Sequence, residues 1–304
     1  MLSPSLLDQF RLANLEKHLG VYGVHVYQEG RGTAAHQFRA DDRVQSWSAT
    51  KTFAALAIGM CADEGRLGID DTVLGFFPGM RSLAAPGSEA ITVKNLLQMQ
   101  PGKDYAFFQE TDPKKVNETD WAELFFMGEV TSTPGTKFFY ANGGSYMLSR
   151  IVEAVSGQTL RSYLLPRLFN PLGILNPWWN ADPFGHTLGA YGLQLTTAEL
   201  AKLGQLLLQE GVWDGKQLVS RAYAQAMHTD TVAPNGHFDD PEANAGYGYQ
   251  VWLNVEGGYR ADGMYGQYSI VIPQQRAVIT TTAHNETDAY GIVRAAFSDI
   301  ASRL

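Results

Sequence analysis

Ser48 stands three residues before Lys51, at the mouth of the apolar run Phe53-Ala54-Ala55-Leu56-Ala57-Ile58-Gly59-Met60. If that run is a helix, the two side chains lie one turn apart on one face, within reach of each other. A serine alone is a poor nucleophile near neutral pH and needs a neighbour to accept its proton. A lysine can accept it if burial or another cation lowers its pKa, because a compact ammonium loses much when desolvated. The bland alternative is a serine that caps the helix and a solvated first-turn lysine. Ser-x-x-Lys by itself is too common to decide between the two.

Two other stretches carry groups that fit the same chemistry. Tyr140-Ala141-Asn142 follows the turn Thr133-Pro134-Gly135. A phenol held near an ammonium is pulled toward its phenolate and can serve as a base. The stretch Arg260-Ala261-Asp262-Gly263-Met264-Tyr265-Gly266-Gln267 enters a strand. A glycine-rich strand edge lets an acyl group lie against backbone, and one N–H there can complete an oxyanion hole with the N–H of Ser48. Other residues carry less. Asp70-Asp71 precedes a helical run and reads as a helix cap rather than an acid/base pair. The single cysteine, Cys61, excludes an internal disulfide framework and reads as a small core residue. The seven histidines (His18, His25, His36, His186, His228, His237, His284) show no metal-ligand spacing, so neither a metal nor another cofactor is implied.

The elements that must position these groups fall in a clear order. Leu6, Leu7, Phe10 and Leu15 suggest an amphipathic helix, and Val21–Tyr27 and Thr33–Phe38 a hairpin through Gly30-Arg31-Gly32 that takes in His25 and His36 as structural residues. The helix carrying Lys51 runs to about Glu64 and stops at Gly65. From about residue 72 to 240 strand signals thin out. Helices are expected after Thr92, from about Gly144 to Val155, over Leu164–Phe169, after the capping box Thr196-Thr197-Ala198-Glu199, and from Ser220 to Met227. The stretch Lys103–Trp121 reads as a loop whose Tyr105, Phe107 and Phe108 line a pocket or form a satellite core. Strands return at Tyr247–Leu253, Gln267–Ile272 and Ala277–Ala283, before a last helix carrying Ile292, Val293, Ala296, Phe297 and Ile300. The natural packing joins both ends of the chain, 1–71 and 241–304, in one antiparallel sheet flanked by helices. Residues 72–240 form an inserted, mainly helical lobe, with the site in the cleft between. The class is α+β.

Composition narrows the functions. The chain has 304 residues, of which 45% are hydrophobic, enough for a sizeable core. No apolar run is long enough to span a bilayer. A net charge of −8 disfavours a nucleic-acid surface. The N-terminus lacks a basic segment followed by an apolar one, so the expected location is cytoplasmic.

In this order the motifs make the chain resemble the serine hydrolases of the β-lactamase and penicillin-binding-protein superfamily. The resemblance is strongest to the branch of class C β-lactamases, D-alanyl-D-alanine peptidases and related carboxylesterases. Ser48-Ala49-Thr50-Lys51 is similar to the first motif and Tyr140-Ala141-Asn142 to the second. The framing phrases Glu64-Gly65-Arg66-Leu67, Pro171-Leu172-Gly173, Gly192-Leu193-Gln194-Leu195-Thr196 and Ala201-Lys202-Leu203-Gly204 carry the resemblance along nearly the whole chain. It implies that fold, with Ser48 as the acylated nucleophile, Lys51 and Tyr140 as the base network, and Asn142 orienting Lys51 or touching substrate. The third motif departs. Where lactamases and peptidases carry Lys or His, then Thr or Ser, then Gly, this chain has Ala261-Asp262-Gly263. The cation for a substrate carboxylate is missing, and a carboxylate-bearing substrate is expected to bind poorly unless Arg260 turns inward. Asp262 reads as a turn or cleft-rim residue rather than a proton carrier. Ala261–Gly266 is similar to the esterase form of the motif, which makes the Met264 amide the second oxyanion donor.

The expected substrate is therefore a small neutral ester, or an amide. A β-lactamase or D,D-peptidase-like enzyme is the alternative, and a non-catalytic binding protein on the same fold is a second. No nucleic-acid partner or membrane span is expected, and the sequence does not fix the oligomeric state.

Overall fold

Strands from the two ends of the chain meet in one sheet. In the computed structural model, which describes residues 1–105 and 120–304, β1 (Val21–Gln28) and β2 (Gly32–Gln37) form the N-terminal hairpin. Two small ladders stand apart: β3 (Val44–Gln45) with β4 (Gln194–Leu195), and β5 (Val212–Trp213) with β6 (Lys216–Gln217). The C-terminal part supplies β7 (Trp252–Leu253), β8 (Tyr259–Gly263), β9 (Gln267–Ile272) and β10 (Ala277–Ala283). These join the hairpin in the antiparallel order β2-β1-β10-β9-β8-β7. The central strands β9 and β10 are buried at every residue, which suits their β-branched side chains. Their buried hydroxyls find partners: Ser269 Oγ lies 3.1 Å from Thr280 Oγ1 across the two strands, and Thr282 Oγ1 lies 2.7 Å from Thr197 Oγ1 outside the sheet.

The helices are α1 (Asp8–Glu16), α2 (Thr50–Asp63), α3 (Val93–Leu97), α4 (Trp121–Met127), α5 (Asn142–Ser156), α6 (Leu160–Leu164), α7 (Thr197–Leu208), α8 (Arg221–Thr229) and α9 (Ala289–Ala295). One sheet face is covered by α1 and α9, around Phe10, Val24, Ile270, Ile279 and Ile292. On the other face α7 lies so close that a Cβ on Gly204 would sit 2.3 Å from Ser269 Oγ. Every residue of α2 from Thr50 to Cys61 is buried, as befits a helix apolar on all sides. The expected capping box forms at Thr196 with Glu199, and Thr92 with Asn95 makes a second. Among the described residues no helix is long and apolar enough to cross a membrane.

Several expectations shift. Tyr247–Leu253 is not one strand: Gly246 and Gln250 take φ of 144° and 59°, and only Trp252–Leu253 joins the sheet. The strand Tyr259–Gly263, absent from the sequence reading as a separate element, carries the third motif. Asp71 does not cap a helix; its carboxylate accepts the Gly68 N–H at 2.7 Å and closes a turn. Leu15 is 65% exposed and leaves the apolar face of α1 to Phe10 and Ala13. The expected helix over Leu164–Phe169 is the end of α6 followed by a π-helical turn at Leu165–Phe169. Phe107 and Phe108 lie outside the described residues.

Gln250 ties the elements around α2 together. Its Nε2 donates to the carbonyls of Leu96 and Leu97 at 3.0 and 2.8 Å, and its Oε1 accepts from Ser145 Oγ at 2.6 Å. Its backbone carbonyl accepts from Thr52 Oγ1 at 2.8 Å. Gln250→Leu keeps the volume but removes the side-chain bonds to Leu96, Leu97 and Ser145, so it should lower stability by about 1–3 kcal/mol. A urea midpoint matching wild type would contradict this.

Candidate active site

The chain reaches α2 through a strained turn. The Ser46 N–H donates to the Leu193 carbonyl at 2.8 Å, and Trp47 then takes a left-handed φ of 47°, uncommon for a bulky residue. Its ring meets Tyr265 edge-on at 5.2 Å. Ser48 follows in a short 3-10 turn, Trp47–Ala49, and is half-buried. It does not cap α2, whose N-cap is Ala49 with no side-chain bond. The bland reading of Lys51 also fails, since it is 1% exposed. Its Nζ donates to Ser48 Oγ at 2.9 Å, to Asn142 Oδ1 at 2.8 Å and to the Ala190 carbonyl at 2.9 Å. Burial pushes the Lys51 pKa down to about 7, against the pull of the Asp262 carboxylate.

Asn142 opens α5, so the helix start fixes its amide against Lys51. Two residues earlier, Tyr140 brings its hydroxyl near the Ser48 hydroxyl and the Trp252 side chain, and both ease its ionisation. The Lys51 Nζ lies 5.1 Å from the Tyr140 ring centre. Burial raises the Tyr140 pKa well above that of an ordinary phenol. The expected pull toward phenolate is thus reversed: Tyr140 is held as a neutral phenol, and Lys51 is the group brought near neutrality.

Strand β8 packs on the Ser48 turn. A Cβ on Gly263 would lie 2.3 Å from the Ser46 carbonyl oxygen and 3.2 Å from the Ala49 nitrogen, so the third motif needs glycine there. Met264 follows at the hairpin with its side chain 54% exposed. Asp262 is not a turn residue. It lies within β8, its side chain is 12% exposed, and Oδ2 accepts the Arg260 Nε–H at 2.9 Å. Arg260 is fully buried, and its remaining donors go to Glu242 Oε2, Asn254 Oδ1 and the carbonyls of Leu253 and Glu242. It offers no free guanidinium to a ligand.

The structure thus brings Ser48, Lys51, Tyr140 and Asn142 into one cluster, with the Asp262 charge acting on Lys51 and Gly263 against the serine turn. Sequence reasoning missed Ala190, Trp252 and Glu242. The first acts through its carbonyl alone, which no residue type announces. A cavity of about 900 Å³ lies elsewhere, lined by Lys17, Ile272, Gln275, Arg294 and Phe297 among others, and none of the four clustered residues borders it. Among the described residues no group of His, Cys, Asp and Glu is arranged to hold a metal.

A family model described as beta-lactamase matches residues 13–300. The chain belongs to the beta-lactamase family. It is 26% identical to a lovastatin esterase of Penicillium rubens, over 76% of this chain and 73% of that protein. It is 25% identical to a 6-aminohexanoate-dimer hydrolase of Paenarthrobacter ureafaciens, over 88% and 74%. The fold is that of the octameric penicillin-binding protein homologue from Pyrococcus abyssi, with a TM-score of 0.75, 21% identity and coverage of 99% of this chain and 78% of that one. Members of this family are hydrolases, and this chain gathers a serine, a lysine and a tyrosine in one place.

If burial sets the Lys51 charge, its ε-methylene NMR resonance, assigned by its loss in Lys51→Met, should titrate near pH 7. Asp262 holds the Lys51 pKa up, so Asp262→Asn should move that midpoint to lower pH. An upward movement would contradict the placement of Asp262 beside Lys51.

Proposed function

We propose that this beta-lactamase-family chain is a serine hydrolase that cleaves a carboxylic ester, and amides as a second class, through an acyl-enzyme on Ser48. The observation that carries the reading is the 2.9 Å contact between Ser48 Oγ and the buried Nζ of Lys51. With its pKa near 7, Lys51 is partly a free amine at neutral pH, and its lone pair faces the hydroxyl it must deprotonate.

The sequence of steps follows from the contacts. Lys51 takes the Ser48 proton while Oγ attacks the acyl carbon. The amides of Ser48 and Met264 hold the developing oxyanion. Tyr140, kept protonated by burial and near Ser48, donates to the departing alkoxide and recovers a proton through Lys51. Water then attacks the acyl-enzyme with the same groups working in reverse. Asn142 and the Ala190 carbonyl keep Nζ aimed at Oγ. The name of the lovastatin esterase relative supports an ester, and that of the dimer hydrolase keeps amides in range.

The β-lactamase or D,D-peptidase reading is weaker here because a substrate carboxylate finds no free cation at the third motif. Arg260 spends its donors within the fold, and Asp262 adds an opposing charge.

Initial rates on p-nitrophenyl butyrate test the assignment. Ser48→Ala should abolish turnover with the fold retained. Lys51→Ala and Tyr140→Phe should each lower kcat by roughly 10²–10⁴-fold, and the double variant by less than the product, because the groups act as one unit. Substantial turnover by purified Ser48→Ala would remove Ser48 as the nucleophile.

A further inference from the structure

The charge balance beside the nucleophile is unusual and carries a specificity. Two carboxylates, Asp262 and Glu242, share the single buried guanidinium of Arg260 at 2.9 and 3.4 Å. The next cation along, Arg294, is already paired with Asp240 and Asp288. The pairing of Asp262 is also one-sided. Oδ2 takes the Arg260 Nε–H, while Oδ1 has no intramolecular donor among the described residues and is not closed off from solvent. The side chain keeps 12% of its surface, and its field is felt by Lys51, Tyr140 and Tyr247. A half-paired carboxylate, fixed by a buried arginine and partly open to solvent, is complementary to a cation.

We propose that Asp262, anchored by Arg260 beside Lys51, is a cation-accepting subsite that selects substrates carrying an ammonium group over those carrying a carboxylate. This rests on the acyl-enzyme reading and names the substrate class of the same site. Arg260 holds the carboxylate in place, so the side chain is pre-organised for a ligand. Tyr140 is half-buried and can add its ring to the same contact, backed by Tyr247 and Trp252, which are buried behind it.

Two substrate series test it. On the acyl side, p-nitrophenyl 6-(trimethylammonio)hexanoate is compared with the p-nitrophenyl monoester of adipic acid. On the leaving-group side, acetylthiocholine is compared with S-acetyl-3-mercaptopropionate. Each kcat/KM is divided by the substrate's own hydroxide-catalysed rate constant. The wild type should favour the cation by roughly tenfold or more in at least one series. Asp262→Asn should bring that ratio close to one. The lower Lys51 pKa in the variant makes that neighbour less positive, which by itself favours the cation, so a loss of the preference reports the missing Asp262 charge. If the variant does not fold, the wild type still decides, because the preference should shrink with added salt. Equal rates for both charges, or a preference that survives both Asp262→Asn and salt, would overturn the subsite. Ser48-dependent hydrolysis of neutral esters with no cation preference would remove this inference and leave the acyl-enzyme reading standing. Absence of any Ser48-dependent turnover would remove both.

Discussion

A lysine buried without a carboxylate in hydrogen-bond contact is the constraint on which this site depends. Among the described residues Lys51 donates to a hydroxyl, an amide oxygen and a backbone carbonyl, and desolvation drives its pKa from 10.5 to about 7. That shift corresponds to a penalty on the charged form on the order of 5 kcal/mol. The fold imposes it by placing α2 where every residue from Thr50 to Cys61 is shielded, and by closing the mouth with α5, the Ala190 segment and β8. The surrounding hydrogen bonds are the reason the lysine stays aimed at Ser48 instead of escaping to water. Gln250 matters at one remove, since it joins α2, α3 and α5 around that mouth.

Asp262 moderates this arrangement. Its charge partly offsets the desolvation of Lys51, and Arg260 in turn keeps Asp262 in place. Burial raises the Asp262 pKa while Arg260 and Lys51 lower it, so the three groups form one electrostatic unit. The cost of burying Arg260 is met by five donor contacts, which explains why it cannot also serve a ligand. Strand β8 thus sets an anion, Asp262, next to the glycine that the serine turn requires at Gly263.

Much of this was legible in the sequence where residue type and function coincide. Ser48 and Lys51 could be paired from helical spacing, and Tyr140 and Asn142 from their motif. The sheet followed from β-branched runs at both ends of the chain. What stayed hidden is set by tertiary context. Burial decides whether Tyr140 is phenol or phenolate, and no local pattern reports it. Arg260 and Asp262 alternate with Ala261 and Gly263 on a short strand that reads as a glycine-rich edge, so their pairing was not visible. The bend at Gly246 and Gln250 comes from left-handed backbone that a glutamine rarely adopts, and it broke an otherwise plausible strand. Ala190 contributes a carbonyl, which any residue has.

The central claim is that burial strips Lys51 of its proton so that it can activate Ser48. Its most direct test is the rate at which a fluorophosphonate modifies Ser48, followed by intact mass across pH. The account predicts a rate that rises with a midpoint near pH 7, where Lys51 loses its charge, and that is lost in Ser48→Ala. A rate that does not change with pH through neutrality, or that rises only toward the ordinary lysine value of about 10.4, would contradict it.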